Sequence, residues 1–87
     1  MIRLHFRGEM TMTLTQLTEV FRVVFGDDTL VIDMDTTAND VDGWDSLSHV
    51  NLILAVESEF QVRFSQKELM LHKKVGDLVR DIEAKKG

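Results

Sequence analysis

The sequence predicts a small all-α domain: a four-helix bundle with three longer helices, one short helix, and a long loop after the first. Three observations lead there. Apolar residues recur at three- and four-residue spacing in separate segments. Thr13 with Gln16, and Ser65 with Glu68, each form the capping-box pattern of a helix start. Pro is absent and β-branched alternation is scarce. At 87 residues without Cys, the chain is one domain whose single core closes without disulfides or a thiolate zinc site.

Residues 1–12 read as a separate N-terminal arm or extension, leaving residues 13–87 as the main domain. Arg3, His5 and Arg7 stand against one acid, Glu9, and Ile2, Leu4 and Phe6 alternate as in a short strand. The first helix starts at the Thr13–Gln16 box, with Met12 stapled onto Leu17. Leu14, Leu17, Phe21, Val24 and Phe25 then give it one buried face. Gly26, followed by Asp27 and Asp28, ends it.

No long periodic element occupies residues 26–44, and a loop of this length in so small a domain needs a task. Leu30, Val31, Ile32 and Met34 pin its first half to the core, and the remainder is polar and turn-forming. Asp45 is a good N-cap for a second helix over about residues 46–60. On a wheel of about 100° per residue its apolar positions form two stripes. Leu52, Ile53, Val56 and Phe60 make one; Leu47, Val50 and Leu54 make the other, nearly opposite. A small domain cannot easily bury both, so the second is a candidate docking face. Ser65 and Glu68, stapled by Phe64 and Leu69, open a short third helix ending near Leu71. Val75, Leu78, Val79 and Ile82 mark the last, with Lys85 and Lys86 at its negative dipole end.

Charge narrows the partners. With 15 acidic and 10 basic residues the net charge is −5, which repels phosphate backbones and disfavours nucleic acid. No apolar run nears the roughly 20 residues of a membrane span. The start lacks the apolar stretch of a secretory signal. The expectation is a cytoplasmic monomer.

Chemistry concentrates where the long loop enters the second helix, at Gly43-Trp44-Asp45-Ser46-Leu47. A serine in a first helical turn, near free N–H groups and the positive dipole end, suits a phosphate ester. Asp and Ser are also what helix starts prefer, so local chemistry by itself favours capping. His49 lies one turn after Ser46, but a hydrolase also needs an orienting acid, an oxyanion hole and a Gly-x-Ser-x-Gly elbow. Its wheel position beside the core stripe reads as a partly buried structural histidine. Asp33, Asp35, Asn39, Asp40 and Asp42 offer no register with Gly at the sixth and Glu at the twelfth position of a calcium loop, so they read as a solvated turn segment. Trp44 is either a partner anchor or a packing residue. His72, Lys73 and Lys74 read as an exposed basic turn.

Asp45-Ser46-Leu47 resembles the Asp-Ser-Leu signature of acyl carrier proteins, in which the serine receives phosphopantetheine. The similarity continues through Val50, Leu52, Ile53, Ala55, Val56, Glu57, Glu59 and Phe60, and the element order covers about residues 13–85. The resemblance implies a bundle of the acyl carrier type that is not an enzyme. It would hold 4'-phosphopantetheine from coenzyme A on Ser46, beside Trp44, Asp45 and Leu47, with acyl or aminoacyl cargo as a thioester. Leu47, Val50, Asn51, Leu54 and Glu57 match the family's docking positions. The implied partners are a phosphopantetheinyl transferase, a loading ligase, and downstream transferases or synthases. Members that serve fatty acid synthesis usually have acids where this chain has Ser48, Asn51 and Ser58, and a small residue at Trp44, which points to a specialised pathway. An unmodified adaptor docking through Leu47, Val50 and Leu54 is the alternative, and a metal-binding regulator using the acidic loop a third reading.

Overall fold

Four helices form: α1 (Ile2–Phe25), α2 (Ser46–Phe60), α3 (Gln66–Leu71) and α4 (Val75–Lys86). The structure is a computed structural model describing the backbone of residues 2–86 and the side chains of residues 12–85. Among these no strand occurs; one 3-10 turn, Ala38–Asp40, interrupts the loop between α1 and α2.

The start of α1 corrects the expectation at Thr13. The backbone is helical from Ile2, so no capping box forms there and residues 2–12 make neither a strand nor a break. The side chains of Ile2, Leu4 and Phe6 lie outside the described residues. Thr13 is fully buried, and its hydroxyl donates to Glu83 of α4, while Met12 is exposed rather than stapled. Capping and burial of Thr are indistinguishable in a one-dimensional pattern, because both place a polar residue ahead of an apolar stripe. The other end is as expected. Gly26 takes φ 63°, Asp27 N–H bonds Arg22 O at 3.0 Å and Gly26 N–H bonds Val23 O at 3.4 Å, the paired bonds of a Schellman ending.

Helix α1 packs on both α2 and α4. Leu17 and Phe21 meet Leu52 and Val56 of α2 and Val75, Leu78, Val79 and Ile82 of α4 in one core of fully or nearly fully buried side chains. The loop closes over it with Ile32 and Val41. Val31 does not pin the loop: it is 76% exposed, since neighbouring side chains in extended backbone point to opposite sides. Thr36 is buried because its hydroxyl accepts from Asp33 N–H and donates to the Asp33 carboxylate.

The loop is also tied to the start of α4. Val75 N–H donates to Thr36 O and Gly76 N–H to Met34 O, both at 2.8 Å, so loop carbonyls satisfy donors that a helix start leaves free. The Asp77 carboxylate accepts from the Lys73 and Lys74 N–H groups, which holds it below the usual carboxylate range. Gly76 is required by this approach, because a Cβ there would stand 2.7 Å from Met34 O. Gly76→Ala is therefore expected to destabilise by about 1–2 kcal/mol despite the better helix propensity of Ala. A lower urea midpoint with an unchanged m-value checks this; a neutral or stabilising result would show the strap yields freely.

Helix α3 is as the Ser65–Glu68 box predicts. Ser65 Oγ accepts from Glu68 N–H, and the Glu68 carboxylate accepts from Ser65 N–H. That backbone bond, with Lys85 on the same carboxylate, lowers the Glu68 pKa to about 2.

Candidate functional site

The junction of loop and α2 is built by Asp45 and Ser48. Asp45 has extended backbone, and its carboxylate accepts from Ser48 N–H at 2.9 Å. Ser48 Oγ accepts from Asp45 N–H at 2.8 Å and donates to Gly43 O at 2.6 Å. The Ser48 bonds, its N–H foremost, hold the Asp45 carboxyl below its ordinary range. Ser46 is the first residue of α2 and is exposed. Capping thus belongs to Asp45 and Ser48, and none of its bonds uses the hydroxyl of Ser46.

Trp44 fixes this junction from behind. Its ring stands edge-on to Phe21, with centroids 5.2 Å apart at 85°, and 6.3 Å from Phe25. Its indole N–H donates to His49 Nδ1 at 3.0 Å, and the two rings stack with centroids 6.0 Å apart. An indole nitrogen only donates, so Nδ1 accepts and His49 is neutral with its proton on Nε2. Burial, then the nearby His72, pushes the His49 pKa down, which agrees with that tautomer. Trp44 therefore packs against α1 and clamps the loop end to α2, as its packing reading requires, and His49 is structural.

A groove of about 340 Å³ opens beside Ser46, walled by Trp44, His49, His72 and Lys73. That lies near the lower end of the roughly 300–1,000 Å³ of small-molecule sites. His72 corrects the expectation of an exposed basic turn. Its side chain is 4% exposed, edge-on to Phe64, with Nε2 bonded to the Asp81 carboxylate at 2.5 Å. Lys73 is exposed as expected, whereas Lys74 is half-buried and pairs with Asp35 at 3.8 Å. No apolar residue stands between Leu71 and Val75, and His72 fills the space there.

The two stripes of α2 separate as expected. Leu52, Ile53, Val56 and Phe60 are buried, while Leu47 (76%), Val50 (56%) and Leu54 (59%) are exposed. Asn51 lies on the exposed side, and Glu57 is half-buried, its carboxylate accepting from Phe64 N–H at 2.9 Å. Glu57 thus also anchors the link to α3, a role invisible in the sequence. Met70 and Leu71 of α3 add further exposed apolar surface that the sequence reading did not single out.

Acids in the loop serve turns. Asp33 accepts from Asp35 N–H and Thr36 Oγ1, and Asp40 from Thr37 N–H and Oγ1. Among the described residues no three His, Cys, Asp or Glu side chains are gathered as metal ligands.

A family model described as a phosphopantetheine attachment site matches residues 15–82. The solution NMR structure of a holo acyl carrier protein from Geobacter metallireducens is similar at 48% identity and a TM-score of 0.79, over 84% of each chain. This chain belongs to the acyl carrier proteins. No similar protein is found among the curated sequences. Members of the family carry covalent 4'-phosphopantetheine and work as carriers, not catalysts. Their general partners are a phosphopantetheinyl transferase and acyl-handling enzymes.

The residues present fit such a group. An exposed serine stands at a helix N-terminus, where the dipole favours a phosphodiester. Trp44, His49, His72 and Lys73 line the groove that adjoins it. Among the described residues no helix is long and apolar enough to cross a membrane.

Proposed function

We propose that Ser46 is the attachment serine, and that the protein carries acyl or aminoacyl cargo for a specialised pathway rather than for housekeeping fatty acid synthesis. The observation that carries the reading is the free Ser46 hydroxyl at a helix start capped by Asp45 and Ser48. When bound, the phosphopantetheine supplies a terminal thiol on which cargo is held as a thioester. Asp45 and Ser48 keep the first turn of α2 formed, so Ser46 meets a transferase at a fixed position. Trp44 and His49 hold that turn against α1.

Leu47, Val50, Asn51, Leu54 and Glu57 form the docking face, with Met70 and Leu71 extending it. Ser48, Asn51 and Ser58 supply no charge there, and Ser48 is committed to the cap. Docking then depends more on apolar contact than on charge steering, which supports a client other than the usual one. The carrier unit is residues 13–87, with residues 1–12 an extension, and the protein acts as a cytoplasmic monomer. A loading ligase and downstream transferases or synthases complete its partners.

Peptide mapping of the loaded protein tests the site. The added phosphopantetheine belongs on the peptide containing Ser46, at that residue; fragment ions placing it on Ser48 or Ser58 would remove the assignment.

A further inference from the structure

We propose that Trp44 and His49 form a proton-operated latch on the turn that carries Ser46, closed while His49 is neutral and opened when its Nδ1 takes a proton. The latch is a property of the apo chain and is independent of what Ser46 carries.

Its action follows from what each ring can do. An indole nitrogen donates a hydrogen bond and does not accept one, so the 3.0 Å bond from Trp44 to His49 Nδ1 exists only while Nδ1 keeps its lone pair. A proton on Nδ1 turns two N–H groups toward each other, and the rings, stacked with centroids 6.0 Å apart, must then part. Trp44 keeps its edge contact with Phe21 but loses the bond that orients its indole toward α2. The other bonds of the junction are local. Trp44 N–H donates to Val41 O, and Asp45 and Ser48 cap the helix, so the turn stays formed while its tie to His49 is released.

The surroundings set the direction of the switch. Asp45 at the loop end, and His72 and Lys73 between α3 and α4, are the charged or titratable groups that line the groove with His49. Helix α1 faces the pair through Trp44 with the rings of Phe21 and Phe25, and α3 presents Leu69. The Asp45 carboxylate is engaged by Ser48 N–H. Burial, and then His72, hold the His49 pKa below its ordinary value of 6.5. The neutral ring is thus favoured by the fold. Between the folded and unfolded pKa values the unfolded chain binds more protons. The latch therefore contributes fully above the unfolded value, and its contribution is lost as pH falls from there toward the folded one.

The chain has one Trp, so its indole N–H gives a single NMR cross-peak. In the full-length apo protein this peak and the ring resonances of His49 and His72 are followed from about pH 8 to about pH 5, the range in which histidine changes charge. The expected result is one midpoint below 6.5 shared by His49 and Trp44, with the indole proton moving upfield as its bond is lost. His49→Asn offers an amide oxygen in place of Nδ1 and does not titrate, so its indole peak should stay fixed. A wild-type indole peak that stays fixed over this range, whether or not His49 titrates, overturns the latch. So does one that follows the His72 midpoint instead, or that moves equally in His49→Asn. If His49→Asn does not fold, the wild-type midpoints decide alone.

Discussion

Ser46→Ala is expected to fold with wild-type stability and to take up no phosphopantetheine at all. The side chain is exposed at the first position of α2, and the capping bonds run between Asp45 and Ser48. Its removal should change stability by no more than about 0.5 kcal/mol, as for other surface substitutions. Ser48→Ala is the instructive contrast. It removes a hydroxyl that accepts from Asp45 N–H and donates to Gly43 O, so it should lose about 0.5–2 kcal/mol while still accepting the group. Urea midpoints and intact masses of the two variants check the pair. Loading of Ser46→Ala, or a stability loss as large as that of Ser48→Ala, would place the hydroxyl in the wrong role.

Phe21→Ala is expected to be the most damaging single truncation, at about 3–5 kcal/mol. Phe21 is fully buried on α1 and bears Trp44 edge-on at 5.2 Å, so its loss opens the core and also frees the residue that clamps the loop to α2. For a domain of this size, stability of roughly 0.05–0.15 kcal/mol per residue leaves little beyond such a loss. The single Trp makes the effect visible: emission from Trp44 should move toward that of solvent-exposed indole as helical circular dichroism falls. A loss below about 1 kcal/mol would mean that the core relaxes to refill the space.

The legible parts of the fold are those written in short-range patterns. The two stripes on α2, the Ser65–Glu68 box and the Gly26 ending depend on residues within one or two turns, and each is found as expected. Thr13 and His72 depend on what lies across the fold. Thr13 is buried because Glu83 of α4 receives its hydroxyl, and His72 because Asp81 and Phe64 enclose it. Glu83 lies 70 residues from Thr13, and Asp81 lies nine residues from His72 on another helix. The loop's attachment to α4 is carried by backbone groups of Met34, Thr36, Val75 and Gly76, whose side chains give no sign of it. At the site, the Asp45-Ser46-Leu47 signature points to the serine, while the part Ser48 plays in the cap is visible only in the fold.

The most direct test of attachment is the intact mass of the wild-type protein after incubation with coenzyme A and a broad-specificity phosphopantetheinyl transferase. A gain of one phosphopantetheine per chain is the predicted result. An unchanged mass in a folded sample, beside a control carrier that the same transferase loads, would contradict it.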